Sequence, residues 1–341
     1  MRRTFNILGV SFGYAAAVIG AGFASGQEIA AFFVRHGKLG FIGIFAACAI
    51  FAAFSYAVLG VCAEHSIRGY SDFLRKIFPN KRESAAAQAA SLVFAAASVC
   101  VMTACAGETG FILTGAPRIA GAFAFALVCG VIFFMENKKI MKINSALGFV
   151  IVLGIIFSCF YILRFREHQT LAREASAALS GTVYAGYNLL TAGAVLAGMS
   201  GAVANRREAA LASAASGFAL LVMITLIWGV LGIYYGKINL GEIPMLTMAL
   251  RQNKPLGVFY GVMLLFAAVT TGVSNGFGVI DIAERKFGRK RTAFMLAAIS
   301  FCLSGAGFSN MVNYVYRVCG YAGIILVFGT IYASLKMMKK K

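Results

Sequence analysis

The stretch Gly20-Ala21-Gly22-Phe23-Ala24-Ser25-Gly26-Gln27-Glu28 lies inside an apolar run from about Phe5 to Val34. Its three glycines permit torsions that other residues resist, and they let a ligand approach the backbone closely. Ser25 and Glu28 have the S-x-x-E spacing of a capping box and are followed by the apolar Ile29 to Val34. This spacing predicts that one helix ends near Ile19 and another starts near Ser25. Unwound backbone in hydrocarbon leaves peptide groups unpaired at several kcal/mol each, so it survives where it faces protein, water, an ion or a solute. The gap is therefore a candidate binding site. Close helix packing is the competing reading. It accounts for Gly20, Gly22 and Gly26 but not for Ser25, Gln27 and Glu28.

Two other apolar stretches carry similar chemistry. Ser180 to Asn188 (SGTVYAGYN) places Tyr184, Gly186, Tyr187 and Asn188 in mid-span, with Thr191 and Gly193 following. A second helix break is expected there, although no capping box marks its restart. Ser274 lies four positions beyond Thr270 and three beyond Thr271, so its hydroxyl shares a helical face with each of theirs. Oxygen-only ligands suit a hard monovalent cation. Back-bonding of Ser and Thr to their own helix remains the other reading.

Charged residues inside the apolar runs are few, and Glu28, Glu108 and Arg317 stand out among them. Intramembrane charge is expensive and usually paired or functional. Glu28 is either a gating or proton-linked carboxylate or one stabilised by a helix N-terminus. Glu108 and Arg317 are either near-interface residues or gating and proton-linked groups. His36, His65 and His168 stand far apart, and all eight cysteines fall in apolar runs without a C-x-x-C. No transition metal and no cofactor is expected, apart from Na+ or H+ as a coupling ion. With no nucleophile–base constellation and no P-loop, an enzyme or an ATP-driven pump has no support.

The elements that must position these residues follow from composition. Of the 341 residues 60% are hydrophobic and only 13% charged, the balance of an integral membrane protein. At about 20 apolar residues per crossing, ten spans are expected near 5–34, 39–63, 85–115, 117–135, 143–163, 177–200, 208–235, 256–281, 292–308 and 314–335. The first run as one helix would reach about 45 Å, well beyond a hydrocarbon core of about 30 Å. Glu242 to Lys254 is too polar to cross and reads as a loop, with or without a short surface helix.

A net charge of +19 would suggest nucleic acid in a soluble domain, but these basic residues cluster in short connections between spans. No nucleic-acid partner is expected; the partners are a lipid bilayer and a small molecule. Alternate connections hold 21 and 10 of the 31 Lys and Arg, which places both termini in the cytoplasm of a plasma-membrane protein. Ten spans form two groups of five, first repeat about 5–163 and second about 177–335, within one domain. An odd number per group would make the copies upside down relative to each other. Gly20 and Gly186 stand 166 residues apart, close to half the chain.

Ten spans with GAGFASGQE in the first, YAGYN in the sixth and FAAVTTGVS in the eighth resemble the YkvI-like membrane proteins. These belong to the amino acid–polyamine–organocation superfamily, whose members share the LeuT-type fold. The resemblance implies an all-α five-plus-five inverted repeat, with a substrate site between broken helices one and six. Val18 to Phe23 then falls on the unwound first span, with backbone near Ala21 and Gly22 facing substrate. The hydroxyl pair of sodium-coupled relatives matches Thr270 and Thr271, with carbonyls near Ala16 and Ile19 completing the ion shell. The acidic D-P-G-x of metal-ion relatives is absent from the first span.

The expected function is secondary active transport of an amino acid or related solute by alternating access, coupled to sodium or protons. A solute carboxylate would meet backbone N–H groups at half-helix N-termini, and Tyr184 and Tyr187 would shape the pocket. The alternative is a non-transporting sensor with the same fold, since germinant receptor subunits resemble these transporters.

Overall fold

The computed structural model describes residues 2–67, 69–135, 137–164, 176–236 and 239–339. Arg68, Arg166, Arg173, Lys237, Lys340 and Lys341 of the charge count, and His168, lie outside the described residues. The helices are α1 (Arg2–Val18), α2 (Ala21–Ser25), α3 (Gln27–Phe32), α4 (Gly40–His65), α5 (Tyr70–Ile77), α6 (Lys81–Thr114), α7 (Arg118–Ile132) and α8 (Asn137–Leu163). After them come α9 (Ala177–Met199), α10 (Arg206–Tyr234), α11 (Pro244–Gln252), α12 (Lys254–Phe287), α13 (Arg289–Ser304), α14 (Phe308–Met311) and α15 (Arg317–Lys339). A π-helical turn, Val312–Tyr316, joins the last two, and no strand occurs among the described residues.

Local chemistry explains several of the starts. Asn80, Asn205 and Asn253 cap α6, α10 and α12 by accepting from the backbone N–H of Arg82, Glu208 and Leu256. Pro244 opens α11, where its missing N–H costs nothing. This helix lies in the polar connection read as a loop.

Among the described residues, five segments are long and apolar enough to cross a membrane: Val34–His65, Lys81–Thr114, Arg206–Tyr234, Lys254–Glu284 and Phe308–Lys339. Shorter apolar helices cover Ile7–Val18, Arg118–Ile132 and Leu147–Leu163. Phe45, Phe123, Phe149, Phe294 and Ile325 point outward, more than half exposed, as an apolar exterior in contact with lipid requires.

The helices form two packed groups. In one, α4 lies on α9 and α10, while α1 packs against both α9 and α10. In the other, α6 packs against α7, α12 and α13. Along the seam, α2 meets α12 and α6, while α3 meets α9 and α10. Small residues allow the backbones to touch, as at Gly181, where a Cβ would overlap the Gly43 carbonyl.

The expected break in the sixth span is absent: α9 runs continuously from Ala177 to Met199. Gly186 instead packs on α15, its open face filled by the Gly320 carbonyl. The glycine serves close approach between helices there, which requires no unwinding.

Candidate functional site

The first apolar run is interrupted twice. α1 stops at Val18, and the Gly20 N–H turns to the Val18 carbonyl at 3.0 Å, so it leaves the α-helical ladder. Gly20 is extended (φ −92°, ψ −172°), and α2 follows. The Ala21 N–H donates to Thr271 Oγ1 of α12 at 3.3 Å, so it does not return to the Ala17 carbonyl. The Tyr260 hydroxyl, also on α12, donates to the Ala24 carbonyl at 2.6 Å. One orphan N–H and one orphan carbonyl of the short α2 thus find partners across the seam.

The second interruption is at Gly26, which ends α2 and begins α3 in the left-handed region (φ 78°) where only glycine sits without strain. The expected capping box does not form. Ser25 Oγ donates to the Gly22 carbonyl at 2.6 Å and accepts from the Gln27 N–H at 3.1 Å. The Glu28 carboxyl turns instead into the notch over Gly22, where an added Cβ would overlap Oε1. The positive φ at Gly26 reorients the start of α3, so the carboxyl reaches Gly22 and not the Ser25 backbone.

Around Glu28 the core is aromatic. Tyr184 and Tyr187 of α9 stand edge to face, ring centroids 5.5 Å apart, and both contact Phe32. Tyr316 packs against Tyr187 at 4.8 Å, and Phe94 of α6 touches both. The Tyr187 hydroxyl lies beside the Glu28 carboxyl. Ala21, Phe23, Ala24 and Ser25 are fully buried, and Glu28 is only 5% exposed.

Other expected residues have different surroundings. The Asn188 amide donates to the Tyr184 carbonyl one turn back in its own helix, at 3.0 Å. Thr270 donates to the Ala267 carbonyl of its own helix at 3.0 Å, while its neighbour Thr271 accepts from the Ala21 N–H at the break. Ala16 and Ile19 flank the end of α1, and Ser274 sits one turn beyond Thr270 on α12. Glu108 is held by a two-pronged ion pair with Arg118 at the start of α7. Arg317 stacks over the Phe32 ring at 5.7 Å and borders a cavity of about 130 Å³ lined also by Arg35, His36, Ser176 and Ser180.

Sequence reasoning missed Tyr260, Tyr316, Phe32 and Phe94. A signal existed in each case, an aromatic residue within an apolar run, but such residues are too common in apolar runs to single out. Asn275 was missed as well, yet its amide donates to Ser98 Oγ at 2.8 Å and ties α12 to α6.

No family model matches the chain. It is 21% identical over 336 residues to the uncharacterized membrane protein YkvI of Bacillus subtilis, covering 93% of each chain. To the uncharacterized protein YyaD of the same organism it is 24% identical over 338 residues, covering 91% of each.

Among solved structures, a mutant form of the Eremococcus coleocola manganese transporter superposes with a TM-score of 0.62 at 13% identity, over 95% of this chain and 77% of that one. MhsT in complex with L-phenylalanine gives 0.59 at 16% identity, over 94% and 87%. MHP1, a nucleobase-cation-symport-1 family transporter, gives 0.62 at 16% identity, over 92% and 74%. The resemblance to YkvI-like membrane proteins therefore extends over nearly the whole chain, and the fold is that of the LeuT-type transporters.

Proposed function

We propose that this protein is a secondary active transporter that alternates access around the interrupted segment Gly20 to Glu28. The observation that carries this reading is the double break at the seam between two helix groups, with its backbone held by Thr271 and Tyr260. A broken helix clamped between two packed bodies is a point where one group can rock against the other while the solute remains at the seam. The full burial of α2 fits a closed stage of such a cycle.

In this reading ten spans (α1 to α3 together, α4, α6, α7, α8, α9, α10, α12, α13, and α14 with α15) form a five-plus-five inverted repeat in the plasma membrane. Both termini are cytoplasmic. The solute is an amino acid or a related small compound, and it meets Gly20 to Ser25, Tyr184 and Tyr187. Thr270, Thr271 and Ser274, with carbonyls near Ala16 and Ile19, are the place for sodium if sodium is the coupling ion. Solved proteins of this fold have names and ligands that include manganese, L-phenylalanine and a hydantoin, so support for the fold is broader than support for one substrate.

The test is uptake of labelled amino acids and related compounds into proteoliposomes, with a sodium or a proton gradient imposed separately. Gradient-driven accumulation is the expected result. Binding without accumulation under either gradient would overturn transport in favour of a sensor.

A further inference from the structure

Three buried oxygen atoms at the centre of the molecule have no hydrogen-bond partner: Glu28 Oε2, the Tyr184 hydroxyl and the Tyr187 hydroxyl. Buried polar groups in folded proteins are almost always satisfied, and a cluster of exceptions calls for an explanation. These three are neighbours. The two rings are 5.5 Å apart, and the Tyr187 hydroxyl adjoins the carboxyl. No ion pair among the described residues includes Glu28. The groups facing it are Tyr184 and Tyr187 from α9, Tyr316 from the π turn and Cys105 from α6, none of them basic. Arg317 is engaged on the Phe32 ring.

The structure assigns Glu28, with Tyr184 and Tyr187, as the receptor for a primary ammonium group carried by the solute. An ammonium presents three N–H donors and no acceptor, which matches three unpartnered oxygens. Its charge supplies the counter-charge that a buried carboxylate lacks. The surrounding rings of Phe32, Tyr184, Tyr187 and Tyr316 add the negative π faces that attract cations. The glycine at position 22 leaves open the notch through which Glu28 reaches the break. This assignment rests on the proposed solute site and adds its chemistry: the ammonium is recognised by a side-chain carboxylate, so a carboxylate on the solute is not required.

The experiment titrates full-length detergent-purified protein by thermal shift with L-amino acids, their decarboxylated amines, putrescine, and the matched acids lacking the amino group. Wild type is compared with Glu28→Gln, Tyr184→Phe and Tyr187→Phe, and the best binders are then offered to proteoliposomes. The expected result is stabilisation by compounds with a primary ammonium. Glu28→Gln should weaken their binding on the order of 10- to 100-fold, since one charged hydrogen bond and the counter-charge are lost. Each Tyr→Phe change should weaken it several-fold, and these two variants decide the matter if Glu28→Gln does not fold.

Equal affinity in all variants, binding confined to compounds without an amino group, or no binding by any ammonium compound would each overturn the assignment. Accumulation of a compound that is indifferent to Glu28→Gln would do so while leaving transport intact. Glu28-dependent binding without accumulation would keep the assignment and overturn transport.

Discussion

The carboxyl of Glu28 fills the space that a side chain at position 22 would need, so Gly22 and Glu28 form a notch and its plug six residues apart. Gly22→Ala should therefore cost about 1–3 kcal/mol, the range for overpacking a filled site. Removing the plug as well, with Glu28→Ala, should recover part of that loss. Thermal unfolding of the two single variants and the double variant measures the coupling; strictly additive losses would mean that the two residues do not share this space.

Thr271 holds the interrupted segment to α12 through the Ala21 N–H. Thr271→Val keeps the shape but leaves that N–H unpaired, at a cost of about 1–3 kcal/mol. Thr271→Ser keeps the acceptor and should unfold close to the wild-type temperature. If sodium binds here, its stabilising effect in a thermal-shift titration disappears in the valine variant and survives in the serine one.

Gly186 touches the backbone of α15 at Gly320, and Gly323 in turn touches the Gly186 carbonyl. Because α9 is unbroken, an alanine at 186 must push two helices apart, and Gly186→Ala should lower stability by about 1–3 kcal/mol. A flexible, unwound segment would accept the methyl group with no loss. Melting temperatures in detergent separate the two cases.

Arg206 pairs with Glu64 at the end of α4 and donates to the Met338 carbonyl at 2.7 Å, fastening the last turn of α15. Arg206→Ala should leave the rest of the fold in place and loosen that turn. Limited tryptic digestion at Lys336 and Lys339 should become several-fold faster, since cleavage follows local opening. An unchanged rate would show that Met338, packed on Gly60, holds the turn without help.

Apolar run lengths and the clustering of basic residues were legible in the sequence because the bilayer acts on local composition. So was the end of α1, since glycines at 20, 22 and 26 remove the local reason to stay helical. The position of the restart was not. Ser25 and Glu28 have capping spacing, yet Gly26 takes a positive φ and sends the carboxyl to Gly22. That choice depends on what surrounds the segment.

By itself the sequence determined a membrane protein, a first helix that cannot run unbroken, and the polar residues available at mid-span. Only the tertiary structure decided that Gly186 packs and does not unwind, because its partner Gly320 is far away in the chain. It also decided that Thr271 meets the break through the Ala21 N–H, and that three oxygens from α3 and α9 share one aromatic core. Periodicity assigns a residue to a helix face. Which neighbour fills that face is set when all the helices pack together at the density of a crystal.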